Sequence, residues 1–238
     1  MRGENSILTG DYRVCVCIKA KDYKEAVKML EEAEALSVDL AEVRLDHMTR
    51  LDGLEELPRS TKLPLIATLR PKRQGGMFEG EEAERVEILR KSAVMGFEYV
   101  DLELDTPGID ELVNELKGAG VKVIVSHHDF ERTPGVEELR WLLSRELSYR
   151  PDVCKLVTYA RSLRDNLVCL TLLSGLRRDI RIVCFAMGKL GLVSRVLSPL
   201  YGGFFTYASL RRGLETAPGQ LTVEDLRTIV KLIRRSED

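Results

Sequence analysis

Short runs of β-branched and apolar residues alternate with longer amphipathic stretches from one end of this sequence to the other, and such an alternation leaves few folds open. The runs are RVCVCI (13–18), DLAEVRL (39–45), LPLIATL (63–69), YVDLEL (99–104), VKVIVSH (121–127), DVCKLV (152–157), IRIVCFA (180–186) and GFFTYA (203–208). Between them, AVKMLEEAEAL, EAERVEILRKSAVMG, GVEELRWLLSREL and VEDLRTIVKLI carry apolar residues at helical spacing, several opened by acidic residues and closed near glycine. A strand-then-helix rhythm implies a parallel sheet. Eight such units in 238 residues suit a closed (β/α)8 TIM barrel. An open doubly wound sheet more often has five or six strands and a glycine-rich first turn, and the first turn here, KAKDYKEA, has no G-x-G-x-x-G. No linker, low-complexity tract or further repeat breaks the rhythm, so residues 1–238 read as one α/β barrel domain.

The composition, 44% hydrophobic and 31% charged, allows a full core, and no apolar run approaches the roughly 18 residues that span a bilayer. A membrane protein is excluded on that reading. The segment MRGENSILTG lacks the charged-then-apolar pattern of a secretory leader. Five cysteines sit mostly inside apolar segments, with no C-x-x-C pair and no flanking histidine at zinc spacing. They read as small buried residues in a reducing compartment; the expected location is the cytoplasm, and no metal is expected. A formal charge of −2 gives no footprint for nucleic acid. Any anionic ligand must therefore be held by local cations.

In a barrel of this kind the working residues lie at the C-terminal ends of the strands. In AEVRLD, strand alternation sets Glu42, Arg44 and Asp46 on one face, and a barrel strand has no solvated face to put them on. IATLRPKRQGG ends a strand with Thr68 and Arg70 on one face and enters a loop with Gly75 and Gly76, where Lys72 and Arg73 read as solvated. Arg70 is open to a ligand or to a structural pairing. Lys155 interrupts the apolar run of DVCKLVTYA. Either it snorkels to the rim, or it is a desolvated amine able to attack a carbonyl and form a Schiff base.

Two of the chain's three histidines are adjacent in SHHDFERTP. His128 shares a face with Ser126 and Ile124, His127 with Val125 and Val123, so one of the pair faces the barrel mouth. On neighbouring strands, a histidine and a buried lysine offer a base beside a nucleophile. MGKLGLVSRV after the seventh strand is either a phosphate loop or a carrier of Arg195 toward a carboxylate, and TAPGQLTVEDL supplies a polar loop from which Gln220 can reach inward.

Together these segments resemble the type I 3-dehydroquinate dehydratases, and they occur in that family's order: EVRLD, TLRPKRQGG, SHHDF-x-x-TP, VCKLVTYA, MGKLGLVSR and TAPGQL. The resemblance spans nearly the whole chain. It implies a (β/α)8 barrel, usually a homodimer, that takes the small molecule 3-dehydroquinate and removes water to give 3-dehydroshikimate with no cofactor. It also implies that Lys155 is the Schiff-base lysine, that His128 is the general acid and base, and that His127 is supporting. Glu42, Arg44 and Arg70 match substrate-binding positions, Arg195 the carboxylate-binding arginine, and Thr216 and Gln220 the closing loop. Two positions depart: Gln74 stands where the family often has a glutamate that orients the histidine, and Thr216 stands for a serine, keeping the hydroxyl.

The chemistry fits those residue types. An imine on Lys155 would accept the electrons of an abstracted α-proton, and one imidazole could both take that proton and protonate the leaving hydroxyl. Arg195 could grip a carboxylate, and cations nearby are expected to keep Lys155 uncharged. The loops around Gln220 and the Gly75–Gly76 pair are expected to close over the ligand. Class I aldolases and transaldolases acting on sugar phosphates also use a barrel lysine, and a non-catalytic barrel binding a shikimate-like acid is the reading from outside enzymology.

Overall fold

The computed structural model describes residues 12–235; MRGENSILTG and the outer ends of the 1–238 domain span lie outside the described residues. Eight parallel strands follow the eight sequence runs: β1 (Val14–Ile18), β2 (Leu40–Arg44), β3 (Leu65–Thr68), β4 (Tyr99–Glu103), β5 (Lys122–His128), β6 (Val153–Tyr159), β7 (Ile182–Met187) and β8 (Thr206–Ala208). They form one sheet in the order β7-β6-β5-β4-β3-β2-β1-β8. Across the remaining gap the Phe204 amide donates to the Ile182 carbonyl (2.7 Å), leaving a nearly closed barrel.

The helices are α1 (Tyr23–Ala35), α2 (Glu82–Val94), α3 (Ile109–Gly118), α4 (Val136–Ser148), α5 (Asp165–Ser174), α6 (Leu192–Leu197) and α7 (Val223–Arg235). Helix α1 begins where Asp22 caps the Glu25 amide (2.9 Å). Among the described residues there are seven α-helices for eight strands, one fewer than the regular alternation predicts. Two 3-10 turns, Leu45–His47 and Leu54–Glu56, join β2 to β3 instead. The connecting segment is broken by Gly53, whose φ of 77° suits glycine and stops a longer helix from forming.

Two apolar layers hold the barrel. One lies between sheet and helices and includes Val43, Ala67, Leu102, Val125 and Leu156. The other fills the interior with Leu40, Ile66, Tyr99, Ile124, Val153 and Val183. Because side chains alternate, residues two further along point inward as well. They are Glu42, Thr68, Asp101, Ser126, Lys155 and Phe185; two further still come Arg44, Arg70, Glu103, His128, Val157 and Met187. The barrel therefore passes from apolar at its N-terminal end to polar at its C-terminal end.

That polar end is braced from outside. Arg85 of α2, fully buried, donates to the Leu69 carbonyl (3.2 Å) and Thr106 Oγ1 (2.9 Å), and pairs with Glu103 Oε2 (2.5 Å) and Glu82 Oε1 (2.6 Å). Removing one partner of a buried ion pair strands the other in a low-dielectric interior. Arg85→Leu is expected to lower unfolding free energy by about 3 kcal/mol, measured by urea denaturation. A change below about 0.5 kcal/mol would show that Glu103 needs no help from α2.

Candidate active site

Lys155 projects from β6 into the interior and is 3% exposed, with no route to the rim, so it does not snorkel. Its Nζ donates to Asp101 Oδ2 (2.8 Å), Tyr207 Oη (2.9 Å) and Glu42 Oε1 (3.0 Å). Three N–H bonds of an ammonium thus meet three acceptors. Burial by itself depresses the Lys155 pKa and Arg70 adds to that, but Asp101 and Glu42 outweigh them and hold it above the ordinary lysine value. The expected uncharged amine is therefore corrected: in this state Lys155 is an ammonium. Counting nearby cations predicted the opposite because it left out two buried carboxylates.

Arg70, at the end of β3, pairs with Glu103 Oε1 (2.6 Å) and Asp101 Oδ1 (2.9 Å) and donates to Ser126 Oγ (2.9 Å). Ser126 in turn donates to Asp101 Oδ1 (2.6 Å). Burial works against the Asp101 carboxylate, yet Arg70 and Lys155 hold its pKa far below the usual range. Glu42 is likewise held low: burial opposes its charge and Lys155 restores it. Glu42 Oε1 also accepts from Thr68 (3.0 Å) and Tyr207 (3.1 Å), and Oε2 from Cys17 (3.1 Å). Arg44 is turned to its own neighbour, bonded to Asp46 at 2.6 and 2.8 Å. Asp46 lies not on β2 but in the 3-10 turn after it, where its charge also meets the Met77 amide (3.0 Å).

His128 ends β5 on the inward face. Burial, then Arg70 and Lys155, push its pKa well below the ordinary histidine value, so the ring is neutral. It stacks on Phe130 (centroids 5.9 Å apart, 15° between planes), and its Nδ1 has no hydrogen-bond partner among the described residues. Gln74 borders the same space, but its Nε2 is directed to Asp105 (3.4 Å) and its Oε1 is without a partner. Gln74 therefore makes no hydrogen bond to the imidazole here. His127 sits half-buried on the opposite face, as alternation requires.

Arg195, on α6, is 1% exposed. Burial pushes its pKa down to about 10, and no carboxylate is among the groups acting on it. Its guanidinium lies over the Phe185 ring at 4.3 Å, with Nη2 unpartnered among the described residues. Thr216 points its amide (2.7 Å) and hydroxyl (3.1 Å) to Gln220 Oε1, joining the two loop residues. That loop is tied to the end of β7 by the Gly188 amide, which donates to the Pro218 carbonyl (3.0 Å). Gly219 has a φ of 75° and a Cβ there would come within 2.3 Å of the Gly188 carbonyl oxygen, so the approach requires glycine.

Lys155, His128, Glu42, Arg44, Arg70, Arg195, Thr216 and Gln220 all line one cavity of about 530 Å3, including its open mouth. The sequence reading missed Cys17 and Tyr207, which line it too, and Asp101, Glu103 and Ser126 directly beneath. Among the described residues no three histidine, cysteine or acidic side chains come together to hold a metal. Chemically, the cavity offers a primary amine, a neutral imidazole, an unpaired guanidinium and hydroxyl and amide groups. These suit an oxygen-rich carboxylate that also carries a carbonyl.

Known proteins point the same way. The sequence model of the type I 3-dehydroquinase family matches residues 14–237. A 3-dehydroquinate dehydratase of Thermococcus onnurineus is 40% identical over 216 residues, covering 91% of this chain and 96% of that protein. One of Dehalococcoides mccartyi is 38% identical over 211 residues, covering 87% and 93%. The crystal structure of 3-dehydroquinate dehydratase from Geobacillus kaustophilus superposes with a TM-score of 0.87 at 26% identity, covering 94% of this chain and 92% of that one. The type I enzyme of Clostridium difficile, whose structure carries covalently modified comenic acid, gives 0.85 at 26% identity, covering 95% and 94%. The chain belongs to the type I 3-dehydroquinase family.

Proposed function

We propose that this chain dehydrates 3-dehydroquinate through an imine on Lys155, with His128 moving the protons, and that it does so in the cytoplasm as a homodimer without metal or organic cofactor. Family membership sets aside the sugar-phosphate aldolase reading. The observation that carries the mechanism is a buried amine sharing one cavity with a neutral imidazole and a guanidinium that has no carboxylate partner among the described residues.

The resting ammonium must first lose a proton. Glu42, 3.0 Å away, is the better acceptor, because Asp101 is held more strongly as a carboxylate by Arg70 and Ser126. The neutral amine then attacks the ketone, and loss of water from the adduct leaves an iminium. His128, uncharged at neutral pH, takes the α-proton, the electrons pass into the enamine, and the imidazolium returns that proton to the departing hydroxyl; one water then hydrolyses the product iminium, releasing the ketone and restoring the Lys155 amine. Arg195 binds the substrate carboxylate with its planar fork. Thr216, Gln220 and Arg44 remain for hydroxyl groups at the mouth.

Borohydride reduction with 3-dehydroquinate, followed by mass spectrometry and peptide mapping, is expected to find the adduct on Lys155. Lys155→Ala should lose turnover on the order of 10⁴-fold or more and add no mass. His128→Ala should still trap, with turnover down about 10²- to 10⁴-fold. His127→Ala should stay active, because its ring faces away from the cavity. Adduct on another residue, or none in the wild type, overturns the scheme.

Tyr207 gives a signed pH test. Its hydroxyl accepts from the ammonium and donates to Glu42 (3.1 Å), and both contacts favour charged Lys155. The amine becomes available as pH rises through the Lys155 pKa. Tyr207→Phe removes one acceptor from the charged form and so lowers that pKa. The acid limb of the trapping rate should move to lower pH, and an unmoved limb would show that the hydroxyl does not hold the ammonium.

A further inference from the structure

Helix α4 buries Leu139, Leu142 and Leu143, and the next position on that stripe is Glu146. A leucine there would complete the apolar face. The chain instead buries a carboxyl with 0% exposure. Burial raises its pKa well above the usual carboxyl range, which favours the neutral acid. It lies between sheet and helices, outside the cavity, and the steps derived above do not use it.

Its carboxyl faces two groups of β6, the Cys154 thiol and one main-chain amide. Glu146 Oε2 accepts the main-chain N–H of Lys155 at 3.1 Å. Strand β6 is irregular at its entry. In a regular strand, amides two residues apart point to the same neighbour. Here the Asp152 amide donates to Val123 of β5 (2.8 Å), while the Cys154 amide donates to Arg181, just before β7 (2.9 Å). The hydrogen-bond phase therefore shifts at the entry to β6, after Asp152; from Val153 on, the strand keeps unbroken register with its neighbours, and the carboxyl of α4 reaches the Lys155 amide.

The geometry points to Glu146 as a positioning residue for Lys155: its carbonyl oxygen pins the main chain from which the reactive amine projects. This rests on Lys155 being the imine-forming amine. Replacing a buried carboxyl with a hydrocarbon favours packing, so the role is separable from stability. Glu146→Leu completes the stripe but leaves the Lys155 amide without its acceptor; Glu146→Gln keeps a carbonyl oxygen of the same reach.

Steady-state kinetics with 3-dehydroquinate, the borohydride trapping rate and a thermal unfolding curve on each full-length variant form the test. Glu146→Leu should lower kcat and the trapping rate together, on the order of 10- to 10²-fold, as expected for a misaimed nucleophile. KM should stay near the wild-type value, because Arg195 and the loop residues are untouched. Glu146→Gln should restore kcat to within a few-fold of wild type. Should Glu146→Leu not fold, Glu146→Met, unbranched and of similar length with no oxygen acceptor, makes the same comparison. The proposal is overturned if the folded hydrocarbon variant traps and turns over like wild type, or if Glu146→Gln falls as far as it does. A wild type that does not trap at Lys155 would instead sink the imine reading, and this assignment with it.

Discussion

An ammonium sealed inside a barrel is tolerable where acceptors are already waiting for it, and the arrangement around Lys155 follows from that requirement. Three cations, Lys155, Arg70 and Arg85, interlock with three carboxylates, Glu42, Asp101 and Glu103. Each carboxylate answers a cation on another element, so strands β2, β3, β4 and β6 and helix α2 are joined through charge. Such a network is weak evidence for stability, since each ion loses its hydration on burial. Its worth lies in holding an amine in one place. Arg195 stands apart from this balance, a buried guanidinium that no carboxylate offsets among the described residues. A carboxylate ligand would complete the set.

Much of this was legible in the sequence through a single rule, period-two alternation. It set Glu42 with Arg44, Thr68 with Arg70, and Ser126 with His128 on shared faces, and it separated the two histidines, while the choice of His128 over His127 came from the family resemblance. The same rule finds Asp101 and Glu103 in YVDLEL, acids at alternate positions inside an apolar run whose apolar residues announce a strand more loudly than its acids announce a site. Tyr207 gave no such signal. In GFFTYA it is one aromatic among three, and its hydroxyl acquires meaning only when barrel closure brings β8 within reach of Lys155 on β6. The missing helix between β2 and β3 was visible as a segment without helical periodicity, overridden by the regularity of the other units.

The charge of Lys155 was not legible, because it depends on distance. Cations and carboxylates are both plentiful near the ends of the strands, and sequence order does not say which come within 3 Å of Nζ. The structure decides the sign: two carboxylates in direct contact outweigh burial together with Arg70. Glu146 is the reverse case. Its oddity, an acid on the apolar stripe of α4, can be read in the sequence, while its reason, a main-chain amide of β6 within its reach, cannot.

The proposed chemistry also says which contacts must change. An ammonium offers three N–H bonds, but the nitrogen of a protonated imine keeps one. Two of the three acceptors around Nζ are therefore released when the adduct forms. Asp101 remains engaged by Arg70 and Ser126 whatever Lys155 does. Glu42 and Tyr207, by contrast, line the cavity and lose a partner that faced it. They become free to take hydroxyl groups of the bound substrate at the step when its ketone has been consumed. The resting ion pairs thus hold the amine before attack, and the same groups then hold the adduct, with no large movement of the barrel required.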